Sequence, residues 1–205
     1  MTENEEEMYE YESAQPTAAA VSREEVTRYT LDNLKLMFFV FSVTGWVWEV
    51  IYIALAEGVV ANRGMLHGPW LPIYGGGGVL ILLLLGRFKQ HPAIVFFLAT
   101  LLCGTMEYMT GIAVEFFFRC RWWDYSTKFM NLNGRICLEG LMLFGIAGTA
   151  AVCKGGPALQ SAIMRIDPKI RKALRIALCI IFIIDLVFSL IFPNMGVGVT
   201  YALLK

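Results

Sequence analysis

Histidine is nearly absent, with two residues in 205, and only 17% of the chain is charged. The two, His67 and His91, stand apart from any Cys-x-x-Cys or His-Glu-x-x-His string, so neither a metal site nor a cofactor is expected. The five cysteines are odd in number, and Cys103, Cys137, Cys153 and Cys179 lie within or beside apolar runs, where a thiol serves as a small hydrophobe. They imply no disulfide framework. A P-loop is missing as well: the glycines at 75–78 are not followed by Lys and Ser or Thr at the required spacing, and Gly155-Gly156 follow Lys154 rather than precede it. ATP hydrolysis through a Walker motif is therefore excluded, and no residue is assigned a catalytic role.

What the chain has in abundance is apolar surface. Hydrophobic residues make up 57%, and the mean hydropathy is +0.59. The 17 basic and 17 acidic residues cancel, but Glu3, Glu5, Glu6, Glu7, Glu10 and Glu12 crowd into the first dozen positions and leave the remainder basic by six. That excess falls in short segments between apolar runs, which disfavours a nucleic-acid partner. Residues 1–20 read as a disordered acidic tail rather than a signal peptide. Ser22 and Glu25 have capping-box spacing and open an amphipathic interfacial helix over 21–35.

Apolar runs at 36–56, 71–85, 93–118, 136–153 and 174–192 approach the roughly 20 helical residues that cross a bilayer. They predict an all-α polytopic membrane bundle of about five spans: a four-helix core over 36–153 with two outer loops, a cytoplasmic loop at 154–173, a fifth helix and a short tail at 193–205. Eleven Lys and Arg fall on the side of the N-terminus and six on the other, which puts the N-terminus in the cytoplasm and the protein in the cell membrane. The second run is short and starts among Pro69, Pro72 and four glycines, so its backbone must be satisfied by protein or by a wet cavity. Two halves echo each other. Gly45, Trp46, Glu49 and Tyr52 precede Asn62-Arg63-Gly64 and a short span; Gly104, Glu107, Tyr108 and Gly111 precede Asn133-Gly134-Arg135 and a second short span. Such a pattern suggests two similar two-helix units.

Five acids, Glu49, Glu107, Glu115, Glu139 and Asp185, interrupt the apolar runs. A charge at mid-bilayer costs roughly 2.5 to 3.5 kcal/mol, so each should face a partner, the bundle interior or water. Glu49 and Glu107 are expected to line a polar cavity that takes a cationic group or a proton, with Arg63 and Arg135 as balancing charges and His67 and Asn133 beside them. Glu115 suits an interfacial ion pair instead. Trp122, Trp123, Asp124 and Tyr125 read either as an aromatic belt or as a recognition wall at the entrance, opposite Asn133 and Arg135.

The strings Asn62-Arg63-Gly64-x-Leu66-His67-Gly68-Pro69-Trp70-Leu71-Pro72-Ile73-Tyr74-Gly75, Glu107-Tyr108-x-Thr110-Gly111, Trp122-Trp123-Asp124-Tyr125-Ser126 and Asn131-Leu132-Asn133-Gly134-Arg135-Ile136-Cys137-Leu138 carry a resemblance. Over about residues 36–153 the chain resembles the bacterial membrane family named putative ABC-transporter type IV, the CmpB-like permeases. The resemblance implies a transport-type permease without its own ATPase, served by a separate ATPase subunit; it supplies no substrate and no catalytic residue. Where the glycine run stands at 75–78, the family would be expected to have one glycine with bulkier neighbours, so the helix here should be looser. Expected partners are the lipid bilayer, that ATPase and a second copy of the chain. An intramembrane or lipid-modifying enzyme built on His67 and the acids is the alternative, and a non-catalytic assembly or signalling subunit is a third reading.

Overall fold

The structure, a computed structural model, describes residues 29–195 and 200–201; the acidic tail and most of the interfacial segment at 21–35 lie outside the described residues. Helix α1 runs Leu31–Glu57, started by the Thr30 hydroxyl, which accepts the Asn33 N–H at 3.3 Å, and stopped by Gly58 in the left-handed region at φ +70°. After a loop, α2 covers Pro72–Leu85 with proline at its first position, and a single 3-10 turn at Gly86–Phe88 ends it. Helix α3, Pro92–Phe118, also opens on proline. A second loop holds the short strand β1, Cys120–Arg121, before α4 at Leu138–Ala150. A π turn, Ala151–Gly155, joins α4 to α5 at Gly156–Met164, and α6 runs Pro168–Ile191 behind an Asp167 cap. Strand β2, Thr200–Tyr201, pairs antiparallel with β1.

The chain is thus an all-α bundle, and among the described residues four stretches are long and apolar enough to cross a membrane, Leu31–Ala56, Pro92–Phe118, Leu138–Met164 and Pro168–Ile191, with the shorter apolar Pro72–Phe88 beside them. At 1.5 Å per residue, α2 reaches about 21 Å, short of a ~30 Å hydrocarbon core. The loop 58–71 fills the difference. Its Leu66, Trp70 and Leu71 are buried, and the Leu71 N–H donates to the Ser42 carbonyl inside α1 at 3.0 Å.

Residues 154–173 are helical apart from a break at 165–167, where a loop was expected. Pro157 lacks an N–H and would break an ordinary helix, but the Gly156 N–H bonds back five residues to the Ala151 carbonyl. This widened turn carries the axis past the proline.

Each long helix packs against the short one that follows it. Side chains added at Gly75 and Gly78 would strike Phe38, Phe41 and Ser42, so α1 and α2 meet at backbone distance. Gly104, Gly145 and Gly148 bring α3 and α4 together in the same way, against Leu141, Phe96 and Ala99. The main core lies among α1, α2, α3 and the π turn around Met37, Leu82, Val95 and Val152. A second, aromatic cluster joins Phe38, Phe39 and Trp70 to Phe182 of α6 in edge-on contacts.

Candidate functional site

Between the two helix pairs and under the loops at 58–71 and 119–137 lies a cavity of about 340 Å³. Helix α1 contributes Glu49, α2 Tyr74 and Gly77, α3 Cys103 and Glu107, while the loops contribute Arg63 and the aromatics Trp122, Trp123 and Tyr125. The remaining wall is largely apolar, including Met65, Met106 and Phe144. The glycine run opens part of this space, because Gly77 meets nothing closer than the Cys103 sulfur at 4.0 Å.

The two acids stand differently. Glu49 receives the Tyr74 hydroxyl at 2.7 Å and faces the Arg63 guanidinium at 3.5 Å, so its charge is matched. Arg63 is itself buried. Glu107 is only 7% exposed; its Oε1 accepts the Tyr125 hydroxyl at 3.2 Å, while its Oε2 is buried without a hydrogen-bond partner. Arg135, expected to balance Glu107, does not reach it. Its guanidinium binds Glu115 at 2.6 Å, and Arg121 takes the same carboxylate at 3.2 Å. The cause is local: the Arg135 stem lies over Gly111, 3.2 Å from where a side chain would begin, and the left-handed residues Asn133 and Gly134 turn the chain toward the end of α3.

His67, Asn133, Arg135 and Asp124 stand outside the cavity wall. The Asn133 amide donates to the Tyr108 hydroxyl of α3 at 2.8 Å, and the Trp123 indole donates to the Arg135 carbonyl at 2.9 Å, so the loop at 119–137 is tied to α3 and folds on itself. Asp124 accepts the Ser126 N–H and hydroxyl; burial opposes its ionisation, but these bonds and the Arg121 guanidinium outweigh it and hold the carboxyl below the usual range. Burial, reinforced by the Glu107 charge, raises the Tyr125 phenol above its ordinary value, so it remains a donor.

His67 belongs to another cluster. Its backbone N–H and that of Gly68 donate to Asp185 of α6, the Trp70 indole donates to the same carboxylate at 2.7 Å, and the imidazole Nδ1 lies 3.0 Å from the Ser189 hydroxyl. Ser189 is fully buried and also donates to Asp185 at 3.3 Å. The acid meets the histidine through its backbone and not its ring, so the trio lacks the relay a hydrolase needs. It clamps the first loop to the last helix. Asn194 completes that clamp, donating to the Gly64 and Met65 carbonyls and accepting the Trp122 indole at 3.0 Å on its own carbonyl.

Sequence reasoning missed Tyr74, Tyr125's bond to Glu107, Asp185's role and Asn194. Among these only Tyr74 left a signal, as a tyrosine in the first turn of a glycine-rich span. The five cysteines are free, and among the described residues no group of His, Cys, Asp and Glu could hold a metal ion.

No curated protein and no solved structure matches this chain. Among the described residues, four apolar helices, a shorter fifth and two loops over a cavity describe a multi-pass membrane protein, and residues 36–190 match the family described as "Putative ABC-transporter type IV", to which the chain belongs.

Proposed function

We propose that the protein is a transport-type membrane subunit whose cavity receives the transported molecule, with ATP hydrolysis supplied by a separate chain. The observation that carries this reading is the Glu107 Oε2 atom, buried at the cavity wall with no partner. A polar atom left without a partner in a buried site costs on the order of 1 to 3 kcal/mol or more, which an arriving ligand offsets. The family's printed name supports transport, and the lack of P-loop spacing supports a second chain as the ATPase.

The orientation that accompanies this reading has the N-terminus in the cytoplasm, the cavity beneath the outer loops and the break at 165–167 on the cytoplasmic face, with eleven basic residues on that side against six on the other. The residues exposed around that break, Met164, Arg165 and Lys169, are where an ATPase would dock, since Ile163 is buried in the core and Leu159 packs against it.

The test is isolation of the full chain in native-lipid nanodiscs, followed by intact-mass analysis and an ATPase assay. A nucleotide-binding chain carrying a P-loop should accompany it, and the chain stripped of that partner should hydrolyse no ATP. Hydrolysis by the stripped chain overturns the division of labour. Reporters fused after Lys205 and inserted at 165–167 should report opposite faces; the same face for both overturns the orientation.

A further inference from the structure

We propose that the cavity takes a lipophilic monocation, an ammonium-type head on an apolar body, with Glu107 as its counter-charge and the Trp122, Trp123 and Tyr125 rings around it. The inference rests on the reading of the cavity as a binding site and names the chemistry that site selects.

Charge is the first argument. The cavity wall contains three formally charged side chains, Glu49, Arg63 and Glu107. Glu49 and Arg63 face each other, which leaves Glu107 as the formally charged group of the wall with no counter-charge beside it. A single cation brings the site to formal neutrality, whereas an anion would add a second unmatched charge beside a buried carboxyl group.

Hydrogen-bond polarity is the second. The Tyr74 and Tyr125 hydroxyls donate to Glu49 and Glu107. Both tryptophan N–H groups are spent on backbone carbonyls, those of Asn194 and Arg135. What the indoles add to the wall is therefore ring surface, which attracts cations through its quadrupole. The vacant position is an acceptor, Glu107 Oε2.

The third argument is the rest of the wall. Methionine, leucine, isoleucine and phenylalanine side chains surround these few polar groups, and about 340 Å³ is the lower end of the range for small organic ligands. A hydrated inorganic ion would need several oxygen ligands in place of its water. Among the described residues no such cluster exists.

The experiment is calorimetric titration of the full chain in an uncharged detergent, corrected for empty micelles, with benzyltrimethylammonium and with neopentylbenzene, which has the same shape and no charge. The cation should bind about tenfold or more tightly than its neutral counterpart, and Glu107→Gln should abolish that preference. Gly77→Leu fills the cavity while leaving Glu107 in place, and should abolish binding of both compounds. Equal affinity for the two compounds in the wild type, or an undiminished preference in Glu107→Gln, overturns the proposal. If Glu107→Gln does not fold, the wild-type preference and its loss in Gly77→Leu decide. Absence of binding overturns this inference while leaving the transport reading to the ATPase test; binding by a chain that has no ATPase partner does the reverse.

Discussion

Asp185 of α6 accepts the Trp70 indole N–H at 2.7 Å across 115 residues of chain, and the same carboxylate holds the backbone N–H groups of His67 and Gly68. Helix α6 is otherwise exposed along most of its surface, as a helix in lipid would be. This carboxylate is therefore its main polar attachment to the loop at 58–71. Asp185→Ala would remove the acceptor of four donors at once, these three and the Ser189 hydroxyl, and should cost about 3 kcal/mol or more. Asp185→Asn, which keeps one acceptor oxygen, should cost less. Thermal unfolding of the detergent-solubilised protein measures both, and equal stability of wild type and Asp185→Ala would reject the clamp.

The glycine run offers a sharper test, because adjacent glycines do different things. A side chain at Gly75 would meet the Phe38 carbonyl oxygen at 2.7 Å, and backbone cannot move aside cheaply. Gly75→Ala should therefore destabilise by about 1 to 3 kcal/mol. At Gly76 nothing lies closer than the Met106 methyl at 4.0 Å, so alanine gains helix propensity and should stabilise by up to about 1 kcal/mol. Opposite signs at neighbouring positions are the expected outcome of unfolding measurements, and like signs would contradict the helix packing.

How far the chain could be read in advance follows from the range of each interaction. The spans were legible because apolar length is a local property, and Glu49 with Arg63 stood out as an acid and a base 14 residues apart with a turn between them. The helix through 154–164 was hidden, since Gly155-Gly156-Pro157 reads as a break and only the five-residue hydrogen bond at Gly156 carries it through. Asp185 gave no hint of its partners, which lie more than 110 residues away. The pairing of Arg135 was misread for a geometric reason: Gly111 leaves room for its stem, and the guanidinium continues to Glu115 instead of stopping at Glu107.

That pairing can be separated from its rival by double-mutant cycles. Arg135 and Glu115 are both mostly buried, at 18% and 24% side-chain exposure, and should couple by about 0.5 to 3 kcal/mol. Arg135 and Glu107 should show coupling near zero. Unfolding of Arg135→Gln, Glu115→Gln, Glu107→Gln and the two doubles supplies the cycles; a larger coupling to Glu107 would reject the observed arrangement.

The loop at 119–137 should respond to acid through Asp124. Its carboxyl is held below the ordinary range, so it contributes stability above its unfolded value of about 3.9, and loses that contribution as the pH falls through the lower, folded value. Thermal unfolding of the wild type and Asp124→Asn across pH 3 to 6 should show the variant less stable near pH 6 and the gap closing toward pH 3. A gap independent of pH would assign the role of Asp124 to shape rather than charge.

Glu49 and Glu107 occupy echoing places on α1 and α3, yet their surroundings give their substitutions opposite consequences. Glu49 is tied by the Tyr74 hydroxyl and the Arg63 guanidinium, so Glu49→Gln removes the negative charge that faces a buried arginine. Breaking a buried pair from one side costs about 3 to 5 kcal/mol, and part of that loss should return in the double variant with Arg63→Gln. Glu107 keeps one bond, from Tyr125, which glutamine's carbonyl also accepts, and gives up a buried ionisable group that has no cation beside it. Glu107→Gln should therefore unfold at an equal or higher temperature than the wild type while losing activity in complementation of a deletion strain. An arrangement selected only for stability would not retain that carboxylate. Destabilisation by Glu107→Gln as large as that by Glu49→Gln, with activity intact, would return both acids to an architectural role.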